Sequence, residues 1–136
     1  MQDGLVNDKR VMEVLALIAS RYRQPLTRDV LARHVNLSPS RLHSLFRRQL
    51  NTTPRALIMA KRMETAAELL RTTHLLVKEV AARVGIQDDS HFVRDFAKVY
   101  GLSPTAYRQA HSVRRTVHFV RDSGQSVQAA GQMANR

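Results

Sequence analysis

Four side chains along PSRLHSLFRRQL, residues 39–50, share a pattern able to do chemistry: Ser40, Ser44, Arg47 and Arg48. At about 100° per residue they fall on or near one side of a helix, with Arg41 and His43 flanking them. Leu42, Leu45, Phe46 and Gln49 take the opposite side. Small hydroxyls near the helix start let the backbone approach the floor of a nucleic-acid groove closely. Arginines farther along reach flanking phosphates. A guanidinium also matches phosphate oxygens or a guanine edge with two parallel donors. A second stretch, DSHFVRDFAKVY at 89–100, repeats the design. Phe92, Phe96 and Tyr100 form its inward stripe, and Ser90, Arg94 and Lys98 face outward.

Other constellations point nowhere. His34, His43, His74, His91, His111 and His118 show no close ligand pairing and no cysteine stands beside them, so no metal site is expected. No glycine-flanked nucleophile and no phosphate loop is present, so no enzymatic activity and no cofactor are expected.

Charge supports the nucleic-acid reading. The 136 residues hold 22 Lys+Arg against 11 Asp+Glu, a net charge of +11. Such an excess favours a polyanionic partner. All but four of the cations are arginine, the lysines being Lys9, Lys61, Lys78 and Lys98. No stretch approaches the ~20 apolar residues of a membrane span, and no helix offers the leucine- or aromatic-rich, lysine-flanked face that a membrane surface needs. The N-terminus lacks the apolar run of a signal peptide. Without cysteine there is no disulfide framework, and the expected compartment is the cytoplasm, on the nucleoid.

The elements that must position these faces are helices. Val11, Val14, Leu15, Ile18 and Tyr22 form one stripe over residues 8–23, stopped at Gln24-Pro25. Thr27 is an N-cap for a helix to about His34. Ser38, with Pro39 behind it, opens the next, to about Leu50. Thr53-Pro54 opens a long helix to about Arg71, with Ala56, Met59, Ala60, Met63, Ala66, Ala67 and Leu70 expected on its buried face. On this helix Glu64 and Glu68 lie within reach of Lys61, Arg62 and Arg71 for ordinary ion pairs. Helices follow at about 77–84 and 89–100, and Ser103-Pro104 opens a last one. No segment alternates as a strand. The expected fold is all-α with about seven helices.

The pattern is also internally repeated. An offset of 50 aligns Ser40 with Ser90, Leu42 with Phe92, Phe46 with Phe96, Asn51 with Gly101, and Thr53-Pro54 with Ser103-Pro104. Before the turn an offset of 49 aligns Ala32 with Ala81, Val35 with Val84 and Asn36 with Gly85. Short helix, tight turn and amphipathic helix therefore occur twice, a tandem helix-turn-helix pattern.

Residues 8–111 resemble the DNA-binding domain of AraC/XylS-family transcription regulators. The matching residues are Ala32, Leu37-Ser38, Leu42, Phe46, Arg62-x-x-x-Ala66-x-x-Leu69-Leu70, Val80-Ala81, Gly85, Phe92, Phe96, Gly101, Ser103-Pro104 and Tyr107-Arg108. The resemblance implies two helix-turn-helix subdomains joined by a long central helix, a first unit at about 8–52, a linker helix at about 54–71 and a second unit at about 75–111. Their helices at about 39–50 and 89–100 would read adjacent major-groove segments of double-stranded DNA, about 34 Å apart. It implies base contacts from Ser40, Arg41, His43 and Ser44, and from Asp89, Ser90, His91 and Arg94. Phosphate contacts would come from Arg47, Arg48 and Lys98. It also implies RNA polymerase as a partner and a role as an activator, acting as a monomer or weak dimer.

Some positions depart from the family pattern. Asn51 stands in place of the usual glycine, but asparagine tolerates the left-handed conformation. Ile86 and Leu57 stand where aromatics are usual. In GIQDDS, Asp88 is the expected cap, while Asp89 either accepts from cytosine or repels phosphate. Residues 1–7 read as an N-terminal segment or linker. Residues 112–136 read as a C-terminal extension, helical to about Arg121 or with TVHFV as a short strand, then a mobile tail. No part of the chain is suited to the β-rich effector domain many relatives carry. A stand-alone regulator or the C-terminal part of a longer chain are both expected. Two rival functions remain open on composition: a basic protein that coats nucleic acid without sequence choice, and a helical protein-interaction module.

Overall fold

The structure is a computed structural model that describes residues 8–111. The linker reading of residues 1–7 and the readings of residues 112–136 lie outside the described residues. Within them are α1 (Lys9–Arg21), α2 (Arg28–His34), α3 (Pro39–Leu50), α4 (Pro54–Thr72), α5 (Val77–Arg83), α6 (Asp89–Tyr100) and α7 (104–111), with no strand. None of these helices is long and apolar enough to cross a membrane. They form two compact units: 8–65 with Arg83–Gly85, and 66–82 with 86–111.

Local capping chemistry sets the helix starts. The side chains of Thr27, Ser38 and Asp88 accept from the backbone N–H of Val30, Arg41 and His91, satisfying donors that the first turn leaves without a partner. Thr53 and Ser103 do the same for Ala56 and Ala106, each at 3.1 Å. Asp8 caps α1: its carboxylate accepts from the N–H and the guanidinium of Arg10. The Arg10 guanidinium holds the Asp8 pKa down at about 2, against an ordinary 3.8. A depressed carboxylate stabilises the fold above its ordinary pKa, and that contribution is lost as pH falls through the folded value. Asp8→Ala is therefore expected to cost about 1 kcal/mol at neutral pH. The gap between variant and wild type should close as pH drops from 4 towards 2, as read by urea unfolding at each pH.

In the first unit, α3 packs on α1 and α2 around Val11, Val14, Ile18, Leu31, Leu42 and Phe46. Leu17, rather than half-buried Leu15, completes the buried side of α1. Arg62 closes the unit, its Nε donating to the Tyr22 carbonyl at 2.7 Å and its Nη2 to Gln24 at 3.0 Å. Partial burial lowers the pKa of this guanidinium from its ordinary value. The expected helix ion pair thus forms between Lys61 and Glu64, at 3.7 Å, while Arg62 is a strut between α4 and the end of α1.

The second unit is aromatic. Phe96 lies 5.8 Å from Phe92, 4.6 Å from Tyr100 and 5.2 Å from Tyr107, centroid to centroid. Arg71 donates to the Tyr107 hydroxyl at 2.9 Å, and Arg108 to the Leu70 carbonyl at 3.1 Å, fixing α7 to the end of α4.

The buried stripe of α4 differs from the expected one. Ala56 and Ala60 are exposed and Met59 is half-buried, whereas Ile58 is buried. Burying Ile58 removes much more apolar surface from water than burying an alanine. Ile58 and Met63 stand five residues apart, roughly 140° around the helix. The buried side of α4 therefore changes along its length, and Met63, Ala66, Ala67 and Leu70 carry it onward.

Candidate nucleic-acid interface

The two turns that present α3 and α6 share their backbone chemistry. Leu37 N–H bonds the Ala32 carbonyl at 2.9 Å, and Ile86 N–H bonds Ala81 at 2.9 Å. This is the six-to-one closure of a helix end. It needs a left-handed residue, supplied by Asn36 at φ 59 and Gly85 at φ 92. At the far ends, Asn51 at φ 55 and Gly101 at φ 77 repeat the pairing, their N–H groups bonding Arg47 and Ala97. The one extra residue of the second turn lies between Ile86 and the Asp88 cap.

Core anchors fix how each helix is rotated. Leu42, Leu45 and Phe46 are buried on α3, and Phe92 and Phe96 on α6. The opposite faces are exposed. Ser40, Arg41, His43, Ser44, Arg47 and Arg48 all lie exposed on α3. Asp89, Ser90, His91, Arg94 and Lys98 all lie exposed on α6. Each predicted set is thus brought together on one helix.

The two faces differ electrostatically. The α3 sequence carries three arginines and no carboxylate, whereas α6 sets Asp89 and Asp95 against Arg94 and Lys98. Asp88 adds a further carboxylate at the start of α6. The His91 N–H lowers its pKa below the ordinary value, and the His91 ring Nδ1 lies 3.5 Å from it. Attraction to phosphate is therefore concentrated on α3. The α6 face is suited to hydrogen-bonding base edges from Ser90, His91 and Arg94.

Beside α3 the surface is indented. A cleft of about 380 Å³ is lined by Arg28, Pro39, Leu42, His43, Thr53, Pro54 and Arg55. The sequence reading missed Arg28 and Arg55. The available signal was their place: each follows a threonine cap, in the first turn of a helix, where a cation is electrostatically disfavoured. No group of histidine and acidic side chains among the described residues is placed to hold a metal ion.

Comparison with known proteins agrees with this geometry. A helix-turn-helix domain family matches residues 31–110, more than half of the chain. The chain is 32% identical over 105 residues to the melibiose operon regulatory protein of Escherichia coli strain K12, covering 77% of this chain and 35% of that protein. It is 29% identical over 111 residues to the HTH-type transcriptional regulator GbdR of Pseudomonas aeruginosa, covering 82% of this chain and 30% of that protein. The chain thus spans about a third of the length of these curated relatives. Among solved structures, it is similar to the DNA-binding domain of the global transcriptional factor AdpA, determined in complex with a target DNA. There the TM-score is 0.74 and the identity 28%, with 79% of this chain and 97% of that one covered. With its capped repeat, its two outward-facing helices and these relatives, the chain belongs to the AraC/XylS-type family of helix-turn-helix DNA-binding domains.

Proposed function

We propose that this chain is a sequence-specific, double-stranded-DNA-binding transcription regulator that reads two adjacent major-groove segments, one with α3 and one with α6. The observation that carries this reading is the repeated presentation itself. Two helices, each capped and closed by the same hydrogen bonds, hold an apolar side in a core and leave hydroxyl, imidazole and guanidinium groups exposed. Ser40, Arg41, His43 and Ser44 contact bases in one segment. Asp89, Ser90, His91 and Arg94 contact bases in the other. Arg47, Arg48 and Lys98 hold flanking phosphates, and the paired readers serve a monomer or weak dimer without a cofactor. The AdpA domain's complex with DNA and the regulatory names of the sequence relatives support the assignment. The family also supports activation through contact with RNA polymerase, in the cytoplasm on the nucleoid.

Arg94 tests the reading. Arg94→Ala is expected to relax preference at one base pair and to weaken the preferred site by ~1–3 kcal/mol, measured by competition between duplexes differing at single positions. An equal loss on every sequence would favour a protein that coats nucleic acid without sequence choice. No shift of any duplex at moderate salt would favour a protein-interaction module.

A further inference from the structure

We propose that Arg28 and Arg55 together grip one backbone phosphate of the bound duplex beside α3, so that the first unit carries a phosphate anchor that the second unit lacks. The inference rests on the DNA-reading function above and adds two residues and an asymmetry to it.

Three observations converge. First, the cleft beside α3 places the Arg28, Arg55 and His43 side chains around one space of about 380 Å³. A neighbouring groove of the same size shares Arg28 and Arg55 and adds Arg62. No carboxylate lines either one. His43 is also part of the exposed face of α3, so the cleft is continuous with the proposed reading surface. Second, Arg28 and Arg55 are exposed, and neither makes a side-chain hydrogen bond or ion pair among the described residues. Arg62, by contrast, is already held by the carbonyls of Tyr22 and Gln24. Each of the two free guanidiniums sits in the first turn of its helix, where the backbone's partial positive charge opposes it. A cation placed against the local electrostatics, and left without a partner, fits an external anion.

Third, the internal repeat supplies a control. The counterparts of Arg28, His43 and Arg55 are Val77, Val93 and Thr105, and that of Pro39 is Asp89. The same architecture in the second unit therefore has no cation at these three positions, although Lys78 stands one residue past the counterpart of Arg28. A surface built only for solubility gives no reason for such a difference. A backbone phosphate does, because two planar donor forks can share its oxygens.

The test uses the full chain with Arg28→Gln and Arg55→Gln together. Binding is measured on a preferred and on a scrambled duplex across a range of salt. Both duplexes are expected to weaken by the same factor, about 10- to 100-fold. The slope of log affinity against log salt should become shallower by about one, the change for one lost phosphate contact. The melting temperature should stay level or rise, since two disfavoured cations have been removed. In wild type, a methylphosphonate scan should find one neutralised position that reproduces the loss and has no further effect in the variant. An unchanged salt slope, or a methylphosphonate loss that adds to the variant's, would overturn the proposal. If the melting temperature falls, the Arg28→Lys, Arg55→Lys chain decides: a restored slope supports the grip, and an unrestored one rejects it. Inorganic phosphate at constant ionic strength distinguishes the source of the anion. Saturable displacement of DNA from wild type but not from the variant is expected, since both anions compete for the cleft. Phosphate that binds wild type but not the variant without displacing DNA would assign the cleft to a free anion instead. Should wild type show no preference between the duplexes, the sequence-reading function fails, while an equal loss with a shallower slope still supports the grip.

Discussion

Phe46→Ala is expected to remove about 3–5 kcal/mol of stability, a large share of the ~5–15 kcal/mol available to a typical domain. Phe46 is fully buried at the centre of the α1–α3 core, beside Leu42, Val11 and Val14. Truncation leaves a ring-sized void, which a close-packed interior fills only in part. The effect reaches function because the same ring sets the rotation of α3. Without it, only Leu42 and Leu45 remain to hold the side opposite Ser40, Ser44 and Arg47 in the core. Urea unfolding followed by circular dichroism gives the magnitude, and hydrogen exchange of the α1–α3 amides gives the location. A loss below about 1 kcal/mol would mean that Phe46 is not an anchor of this core.

Of the two glycines among the described residues, Gly85 should be the more restrictive, for a steric reason. A Cβ there would stand 2.5 Å from the Arg23 carbonyl oxygen and 2.9 Å from its carbon, at a backbone φ of +92°. Backbone atoms cannot swing aside as a flexible side chain can. Gly85→Ala is therefore expected to cost at least about 2 kcal/mol, from left-handed strain plus the displaced segment. Gly101 also has a positive φ, +77°, but nothing lies within 4 Å of its missing Cβ. Its repeat counterpart Asn51 already occupies this conformation at φ 55. Gly101→Asn should thus fall within roughly 0.5 kcal/mol of wild type. Paired melting curves check the contrast, and equal losses at the two sites would contradict it.

These contrasts mark what a sequence can disclose. Capping is local chemistry, so Thr27, Ser38-Pro39, Thr53-Pro54 and Ser103-Pro104 announce helix starts wherever they occur, and the helices begin there. The stripes of α3 and α6 were legible because their anchors are large and their opposite faces strongly polar. The α4 stripe was not, because alanine fits either side and the buried side of this helix changes between Ile58 and Met63. Arg62 read as one more surface ion pair, since its partners are carbonyls some 40 positions away in sequence. The same holds for Arg28 and Arg55: each resembles an ordinary surface arginine until folding sets α2, α3 and α4 around one cleft. Spacing within a helix is visible in sequence, but spacing between helices has to be seen.

The central claim is that two separate helices each read DNA. Selection of bound duplexes from a fully random library, using the full chain at moderate salt, tests it most directly. The expected outcome is two short conserved motifs with centres about 10–10.5 base pairs apart. Arg94→Ala should blur one position in only one of the motifs. Recovery of no enriched motif, or of a single motif unaffected by substitutions on α6, would contradict the claim.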